Sequence, residues 1–172
     1  MDMMNVARLG EAFMSAYLNI DSPRVGLLNV GREDKKGTET LKKTYGLLKN
    51  SHLNFVGNIE GNEIFLDKTD VLVTNGLTGN ILLKALESAA LLCKEIGLSY
   101  LQTKKNQFSK KIDETFNYNQ EGGAYIVGTR KPVIKLHGRA VARTMYVAIQ
   151  EMKKLINNNY TDKLMAKIEN GL

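Results

Sequence analysis

Three segments rich in glycine and asparagine hold the residues best suited to bind an anion. They are residues 29–37, 57–61 and 75–80. The first and third precede predicted helices, so their backbone N–H groups can face an anion, and glycine lets the backbone approach it closely. Lys36 adds a positive charge beside the first segment, while Asn75 and Asn80 add amide donors beside the third.

Glycine and asparagine are also the residues of ordinary turns, and each segment taken alone is better explained as a turn. All three, however, follow predicted strands. In an open parallel sheet, ligands collect beyond the carboxyl ends of the strands. The three segments together therefore favour a ligand site at that edge.

Other reactive side chains give weaker signals. Cys93 lies in an apolar segment and is predicted to be a core residue rather than a nucleophile. His52 lies in a polar connector and is expected to be exposed, whereas His137, followed by Gly138, either binds a ligand or fixes a turn. No Ser-His-acid set, carboxylate pair or dinucleotide-binding glycine turn stands out. One cysteine and two distant histidines exclude a zinc finger.

The hydrophobic periodicity predicts an α/β protein with a mostly parallel sheet, because strands and helices alternate. Helices are predicted at residues 3–18, 38–50, 79–96, 98–116, 139–157 and 161–169. Strands are predicted at residues 24–30, 53–56, 71–74, 124–127 and 133–136. Thr38 is expected to cap the second helix, and Gly97 to end the third.

The positive charge of the chain is concentrated in its last part. The 172 residues include 24 Lys and Arg against 18 Asp and Glu, a net charge of +6. Residues 1–100 carry 11 basic and 12 acidic side chains, whereas residues 101–172 carry 13 and 6. Such asymmetry indicates an anionic partner: phosphate, an acidic protein, lipid headgroups or nucleic acid.

The composition also limits the class of protein. Hydrophobic residues make up 43% of the chain, which excludes disorder, and the single cysteine excludes an internal disulfide framework. No membrane span or export signal is visible, so a cytoplasmic protein is expected.

The predicted basic helix at residues 98–116 allows several interpretations. An apolar stripe that includes Phe108 is flanked by four lysines, Lys104, Lys105, Lys110 and Lys111. Such a helix suits a membrane surface or an acidic protein partner. It also suits a solvated basic face whose stripe packs on the core or on a second subunit.

Five motifs occur in order and carry a family resemblance. They read PRVGLLNVGREDKKGTE, LNFVGNIEG, DVLVTNGLTGNILLKALE, GGAYIVG and PVIKLHG. Together they resemble the C-terminal half of the bacterial phosphate acyltransferases of phospholipid synthesis, the acyl-acyl carrier protein:phosphate transacylases. The resemblance runs over about residues 5–156.

This resemblance implies transfer of a fatty acyl group from acyl carrier protein to inorganic phosphate, which yields acyl phosphate. It implies a three-layer α/β fold with a mostly parallel sheet of the isocitrate/isopropylmalate dehydrogenase-like type. It further implies a homodimer that works without cofactor or metal and associates peripherally with the membrane. A helical hairpin at about residues 86–116 would make that membrane contact.

The resemblance also implies roles for particular residues. Lys36 would neutralise phosphate or the developing oxyanion, and Asn80 would donate a hydrogen bond to the reacting oxygens. The implied substrate- and phosphate-binding residues are Asn29, Gly31, Gly37, Asn58, Glu60, Gly61, Asn75, Gly76, Gly79, His137 and Gly138. Carrier-protein or membrane contact would fall to Lys104, Lys105, Phe108, Lys110 and Lys111.

The chain departs from the family pattern in several places. Asn75 stands where the family usually has aspartate, and Tyr125 where it usually has proline. The family's N-terminal half has no counterpart, so residues 1–172 are expected to form one α/β region that is incomplete at its N-terminus. We expect weak or no activity from this chain alone, and a separate N-terminal half is a candidate partner.

Two other functions remain as alternatives. A degenerate, non-catalytic remnant would bind acyl carrier protein or membrane. Nucleic-acid binding ranks last, because no recognised module accompanies the basic charge.

Overall fold

The computed structural model describes residues 2–100, 107–108, 110–112, 123–138 and 140–170. These residues form two compact units. Unit 1 comprises Met1–Asn75, Val127–Pro132 and Leu155–Leu172. Unit 2 comprises Gly76–Ile126 and Val133–Lys154.

Unit 1 begins as an alternation of helices and strands and ends with a helix. Its elements are α1 (Met3–Leu18), β1 (Val25–Leu28), α2 (Glu39–Lys49), β2 (Phe55–Ile59), a 3₁₀ turn (Gly61–Glu63), β3 (Val71–Val73) and α5 (Tyr160–Asn170). The predicted helices 3–18 and 38–50 are confirmed. The Asp2 side chain accepts from the Met4 N–H at 3.2 Å, and the predicted cap Thr38 accepts from the Leu41 N–H at 3.3 Å.

The strands of unit 1 form a parallel sheet in the order β2-β1-β3. The pairing of β1 with β2 shifts between Val25–Phe55 and Gly26–Gly57, so Val56 is an extra residue at a bulge. Gly57 has a φ of +98°, which a residue with a side chain rarely adopts. Because the three strands are parallel, their carboxyl ends lie at one edge of the sheet. The predicted α/β class with a parallel sheet is confirmed.

The core of unit 1 lies between the sheet and its helices. Ala7 of α1, Leu27 of β1, Leu48 of α2 and Val73 of β3 are buried together. Gly10 lets α1 approach the sheet, because a Cβ there would lie 2.6 Å from Cγ1 of Val71. The close contact holds α1 firmly against β3.

Helices α1 and α5 meet through aromatic side chains. The rings of Phe13 and Tyr160 pack edge to face, with centroids 5.8 Å apart, and Phe13 also stacks on Tyr17 at 5.2 Å. Tyr160 and Leu164 of α5 are buried. Helix α5 therefore packs on α1 through an apolar face.

An ion-pair cluster fixes the amino-terminal edge of the sheet. The Arg24 guanidinium donates to both carboxylate oxygens of Asp70, at 2.9 and 3.0 Å, and to the Asp67 carboxylate at 2.9 Å. The Arg24 N–H also donates to Asp70 at 2.7 Å. The cluster thus links the residue before β1 to the residue before β3.

Unit 2 contains α3 (Gly76–Tyr100), β4 (Ala124–Tyr125), β5 (Ile134–Lys135) and most of α4 (Ala142–Asn157). Strands β4 and β5 pair antiparallel. The predicted end of the third helix at Gly97 is wrong, because α3 continues to Tyr100. A Cβ at Gly97 would overlap the Phe108 ring, so this glycine permits close packing rather than ending the helix.

The prediction that Cys93 is a core residue is also wrong, because its side chain is exposed. Its apolar neighbours Leu91 and Leu92 are 64% and 56% exposed, so the apolar sequence does not mark burial on this helix. Within the described ranges, no helix combines the length and apolar character needed to cross a bilayer.

The predicted hairpin at 86–116 is described only in part. Its first residues belong to α3, and residues 107–108 and 110–112 are helical, with Lys110 and Lys111 exposed. Lys104 and Lys105 lie outside the described residues. The hairpin stays a prediction.

Candidate functional site

Asn29 is the centre of the carboxyl edge of the sheet. It follows β1 directly and is only 8% exposed. Its Nδ2 donates to Oδ1 of Asn58 at 3.2 Å and to the carbonyl oxygen of Lys36 at 3.1 Å, while its Oδ1 accepts from the Val30 N–H at 2.8 Å. One buried amide therefore joins the first two predicted segments.

Asn58 completes this junction from the neighbouring strand. It is buried, and its Nδ2 donates to the carbonyl oxygen of Glu33 at 2.9 Å. The prediction of a loop at residues 57–61 is wrong for 57–59, which belong to β2. The bulge lets the strand continue through Gly57, so Asn58 is held by the sheet rather than by a turn.

Two glycines let the loop 29–37 pack closely on itself. Gly37 has a φ of +85°, and a Cβ there would lie 2.5 Å from Oδ1 of Asn29. A Cβ at Gly31, which is buried, would lie 2.8 Å from Oε2 of Glu33. Gly37 therefore requires glycine for this loop conformation, whereas at Gly31 the exposed Glu33 side chain can move aside.

Lys36 places its ammonium group at the surface of this loop. Its side chain is 52% exposed, and its Nζ lies 3.8 Å from Oε1 of Glu33, itself 68% exposed. A pair this exposed contributes little to stability. The Lys36 charge therefore remains accessible to an anionic ligand.

The outer part of the loop is fastened to α2 by Asp34. The Tyr45 hydroxyl donates to Oδ1 of Asp34 at 2.6 Å, and Nζ of Lys49 donates to Oδ2 at 2.9 Å. These two hydrogen bonds hold the pKa of Asp34 below its ordinary value, and the bond from Tyr45 has the larger effect. Hydrogen bonds of Asn29 on the inner side and of Asp34 on the outer side therefore give the loop a preformed shape.

Sequence reasoning missed a second charged group beside the same edge. The Glu63 carboxylate, 3% exposed, pairs with Arg32 from the loop and with Lys68. Its Oε2 also accepts from the Glu60 N–H at 3.1 Å. These hydrogen bonds lower the pKa of Glu63 to about 2. The bond from Arg32 has the largest effect, followed by those from Lys68 and from the Glu60 N–H. The one sequence signal for this buried ion pair was the positive charge of Arg32 within a glycine-rich loop.

The lowered pKa of Glu63 predicts acid sensitivity. An unfolded-state pKa near the ordinary 4.5 means that this carboxylate stabilises the fold fully above about pH 4.5. The contribution is lost as the pH falls through the folded value of about 2. Urea unfolding of Glu63→Gln should therefore show a flatter pH dependence than wild type across this range. Identical slopes in both proteins would contradict the assignment.

The remaining predicted residues of unit 1 lie at the same edge. Glu60 follows β2 and is half-buried, and Gly61 begins the 3₁₀ turn. Asn75 lies two residues beyond β3 and is exposed. The parallel sheet thus brings polar residues after all three strands to one edge of unit 1.

The other predicted residues belong to unit 2. The prediction of a loop at 75–80 is wrong from Gly76 onward, because Gly76, Gly79 and Asn80 lie in the first turns of α3. The backbone N–H groups of a first helical turn have no intrahelical acceptor and can bind an anion. The interpretation of this segment as an anion-binding element therefore shifts from a loop to a helix start.

His137 and Gly138 connect β5 to α4. The His137 carbonyl oxygen accepts from the Ala140 N–H at 2.9 Å, which closes a turn. Two roles were predicted for His137, binding a ligand or fixing a turn. This contact shows that the backbone of His137 takes part in a turn. Ligand binding by the imidazole stays a prediction.

The geometry defines an α/β unit whose parallel strands end in a preformed, glycine-rich loop with an accessible lysine. A family model described as "Fatty acid synthesis protein" matches residues 1–163, and the chain belongs to this family. The resemblance seen in the sequence motifs is thereby confirmed.

Curated relatives covering most of the chain carry the name phosphate acyltransferase. The one from Shouchella clausii is 38% identical over 98% of this chain and 54% of its own length. The one from Acetivibrio thermocellus is 41% identical, covering 94% and 50%, and that from Bacillus subtilis is 33% identical, covering 97% and 53%. The chain thus spans about half the length of the curated relatives it matches.

Proposed function

We propose that this chain supplies part of an acyltransferase that moves a fatty acyl group from acyl carrier protein to inorganic phosphate, forming acyl phosphate for phospholipid synthesis. The observation that carries this function is the loop 29–37. The buried Asn29–Asn58 pair holds it at the carboxyl edge of the sheet with Lys36 exposed. The name of the relatives supports the same reaction.

The proposed reaction needs charge stabilisation and no protein nucleophile. A phosphate oxygen attacks the thioester carbonyl carbon, a C–O bond forms, the C–S bond breaks, and the carrier leaves as the thiolate. In this scheme Lys36 neutralises the phosphate or the developing oxyanion. Asn29, Asn58 and Gly37 keep the loop in its preformed shape, so the loop does not have to reorganise during the reaction.

We assign the remaining contacts to residues of unit 2 and of the strand ends. For Asn80 we propose a hydrogen bond to the reacting oxygens, and the N–H groups of the first turn of α3, near Gly76 and Gly79, can bind an anion. The other proposed substrate contacts are Gly31, Gly37, Glu60, Gly61, Asn75, His137 and Gly138.

We further propose that the active protein contains more than this chain. Its curated relatives are about twice as long, so a second segment would complete a three-layer fold of the isocitrate/isopropylmalate dehydrogenase-like type. The completed protein would act as a homodimer without cofactor or metal.

Reconstitution tests this function. The chain alone, incubated with acyl-acyl carrier protein and phosphate, should form little or no acyl phosphate. Adding the part of the Shouchella clausii relative that this chain does not match should raise the rate well above that of either piece. Equal, near-zero rates in every mixture would reject catalysis. Retained binding of acyl carrier protein in that case would support the non-catalytic remnant.

Peripheral membrane binding is a second candidate function, favoured by the surface of α3. Leu91, Leu92 and Ile96 are 64%, 56% and 49% exposed, and Lys110 and Lys111 are exposed in the segment that follows. Changing Lys104, Lys105, Lys110 and Lys111 to Glu should abolish sedimentation with anionic liposomes. Unchanged sedimentation would reject this function.

A further inference from the structure

The Glu63 carboxylate connects the turn after β2 to the loop 29–37. It is 3% exposed and pairs with Arg32 of that loop. The backbone of Glu63 is fixed on both sides. Its N–H donates to the Glu60 carbonyl oxygen at 2.9 Å, and its carbonyl oxygen accepts from the Leu66 N–H at 2.9 Å. Glu63 is therefore a rigid point of attachment for the loop.

Stability alone does not account for a buried carboxylate at this position. Taking a charge out of water is unfavourable, and a buried ion pair is often no more stabilising than apolar side chains of similar size. Glu63 nevertheless holds two cations, Arg32 and Lys68, whose side chains are 62% and 39% exposed. A role in fixing geometry explains this arrangement better, and Arg32 is the cation that belongs to the loop.

The turn that carries Lys36 depends on an anchor of this kind. Residues 32–36 are exposed, so apolar burial does not hold them. The Lys36 N–H donates to the Glu33 carbonyl oxygen at 3.0 Å, and the Lys36 side chain folds back over Gly31, where a Cβ would lie 3.0 Å from its Cγ. Because Gly31 and Arg32 are consecutive, an Arg32 held in place also holds the surface on which the Lys36 stem lies.

We propose that Glu63 is a positioning residue, whose pairing with Arg32 holds the loop 29–37 in the arrangement that presents Lys36 to phosphate. This inference rests on the acyl transfer proposed above and adds to that site a residue outside the loop. Glu63 acts through Arg32, because its own carboxylate is buried. When only a fraction of the molecules hold the competent arrangement, the apparent affinity for the ligand falls by that fraction.

Removing the loop's partner of Glu63 separates positioning from stability. In Arg32→Gln the loop is released, while Lys68 still pairs with Glu63, so no buried charge is left alone. In the reconstituted protein this variant should raise the KM for phosphate about tenfold. Saturating phosphate draws the loop back into place, so kcat should stay within about twofold of wild type. A loss of folded protein would instead lower the apparent kcat and leave KM unchanged.

Lys68→Gln is the matched control, because it removes the other cation from the same carboxylate and lies outside the loop. Its KM for phosphate should stay at the wild-type value. The double variant Arg32→Gln/Glu63→Gln should be no worse than the more damaged single variant, because both changes break one contact. An unchanged KM in Arg32→Gln, equal KM changes in Arg32→Gln and Lys68→Gln, or additive losses in the double variant would overturn the positioning role.

Hydrogen exchange of the chain alone tests the anchor without catalysis. The Lys36 amide is bonded to Glu33, so its exchange rate reports opening of the turn. Arg32→Gln and Glu63→Gln should speed this exchange about fivefold or more, because a charged hydrogen bond is lost, whereas Lys68→Gln should not. If the reconstituted wild type forms no acyl phosphate, the proposed function fails and the exchange decides on the anchor. Faster exchange in Arg32→Gln would then support it, and an unchanged rate would overturn it.

Discussion

Lys36→Met is expected to lower the rate of acyl phosphate formation by the reconstituted protein about 100-fold or more. Methionine keeps much of the side-chain length but removes the charge that the proposed mechanism places against phosphate or the oxyanion. The Lys36 side chain is 52% exposed, so the substitution should not disturb the fold. Initial rates at varied phosphate concentration would show whether kcat, the KM for phosphate, or both change.

Lys35→Met is the matched control for this prediction. Lys35 is the adjacent residue, carries the same charge and is exposed, and it has no assigned role. Its rate should stay close to that of wild type. Equal losses in both variants would mean that only the general charge of the loop matters. An unchanged rate in Lys36→Met would remove Lys36 from the mechanism.

Leu48→Ala is expected to lower the free energy of unfolding of unit 1 by about 3 kcal/mol. Leu48 is completely buried in the core cluster that joins α1, α2 and the sheet. Removing its branched side chain loses apolar burial and leaves a cavity that closely packed neighbours fill only in part. Hydrogen exchange of the β1 amides would report the loss within this unit.

Leu47→Ala supplies the comparison for this stability measurement. Leu47 precedes Leu48 on the same helix but is 52% exposed. Its replacement should change the free energy of unfolding by no more than about 0.5 kcal/mol, as for most surface positions. Similar destabilisation by both substitutions would contradict the assignment to core packing, because alanine is the better helix former and cannot weaken α2 through helix propensity.

The sequence was sufficient to predict elements whose signals are local. Helices α1 and α2 follow from the spacing of apolar residues and from caps that lie within three residues of their partners. Strands β1 and β3 follow from short apolar runs between polar segments. Each signal depends on neighbours a few residues away, so no tertiary information is required.

Elements that depend on distant contacts were predicted less well. Gly57 and Gly97 both look like breaks in a local pattern. The first instead permits a bulge against β1, and the second admits the Phe108 ring. Exposure of the apolar residues around Cys93 is likewise invisible in a local pattern.

The candidate site shows the same division. Lys36 and its surrounding glycines were recognisable because one loop contains them all. The sequence also indicated Asn29 and Asn58 separately, but not the hydrogen bond that joins them across 29 positions. The pairing of Arg32 with Glu63 spans 31 positions, and only the folded sheet brings these two charges together.

The extra residue at Val56 separates the two ends of β2 from each other. Because Val56 has no partner on β1, Asn58 lies opposite Leu27 independently of the added residue. A homologue or engineered variant that lost Val56 would close the bulge into a regular ladder and keep Asn58 within reach of Asn29. The start of β2 can therefore differ in length between relatives while the support of the loop stays in place. Pairing register at the carboxyl end of the strand, and not the number of residues before it, is the constraint on any redesign of this edge.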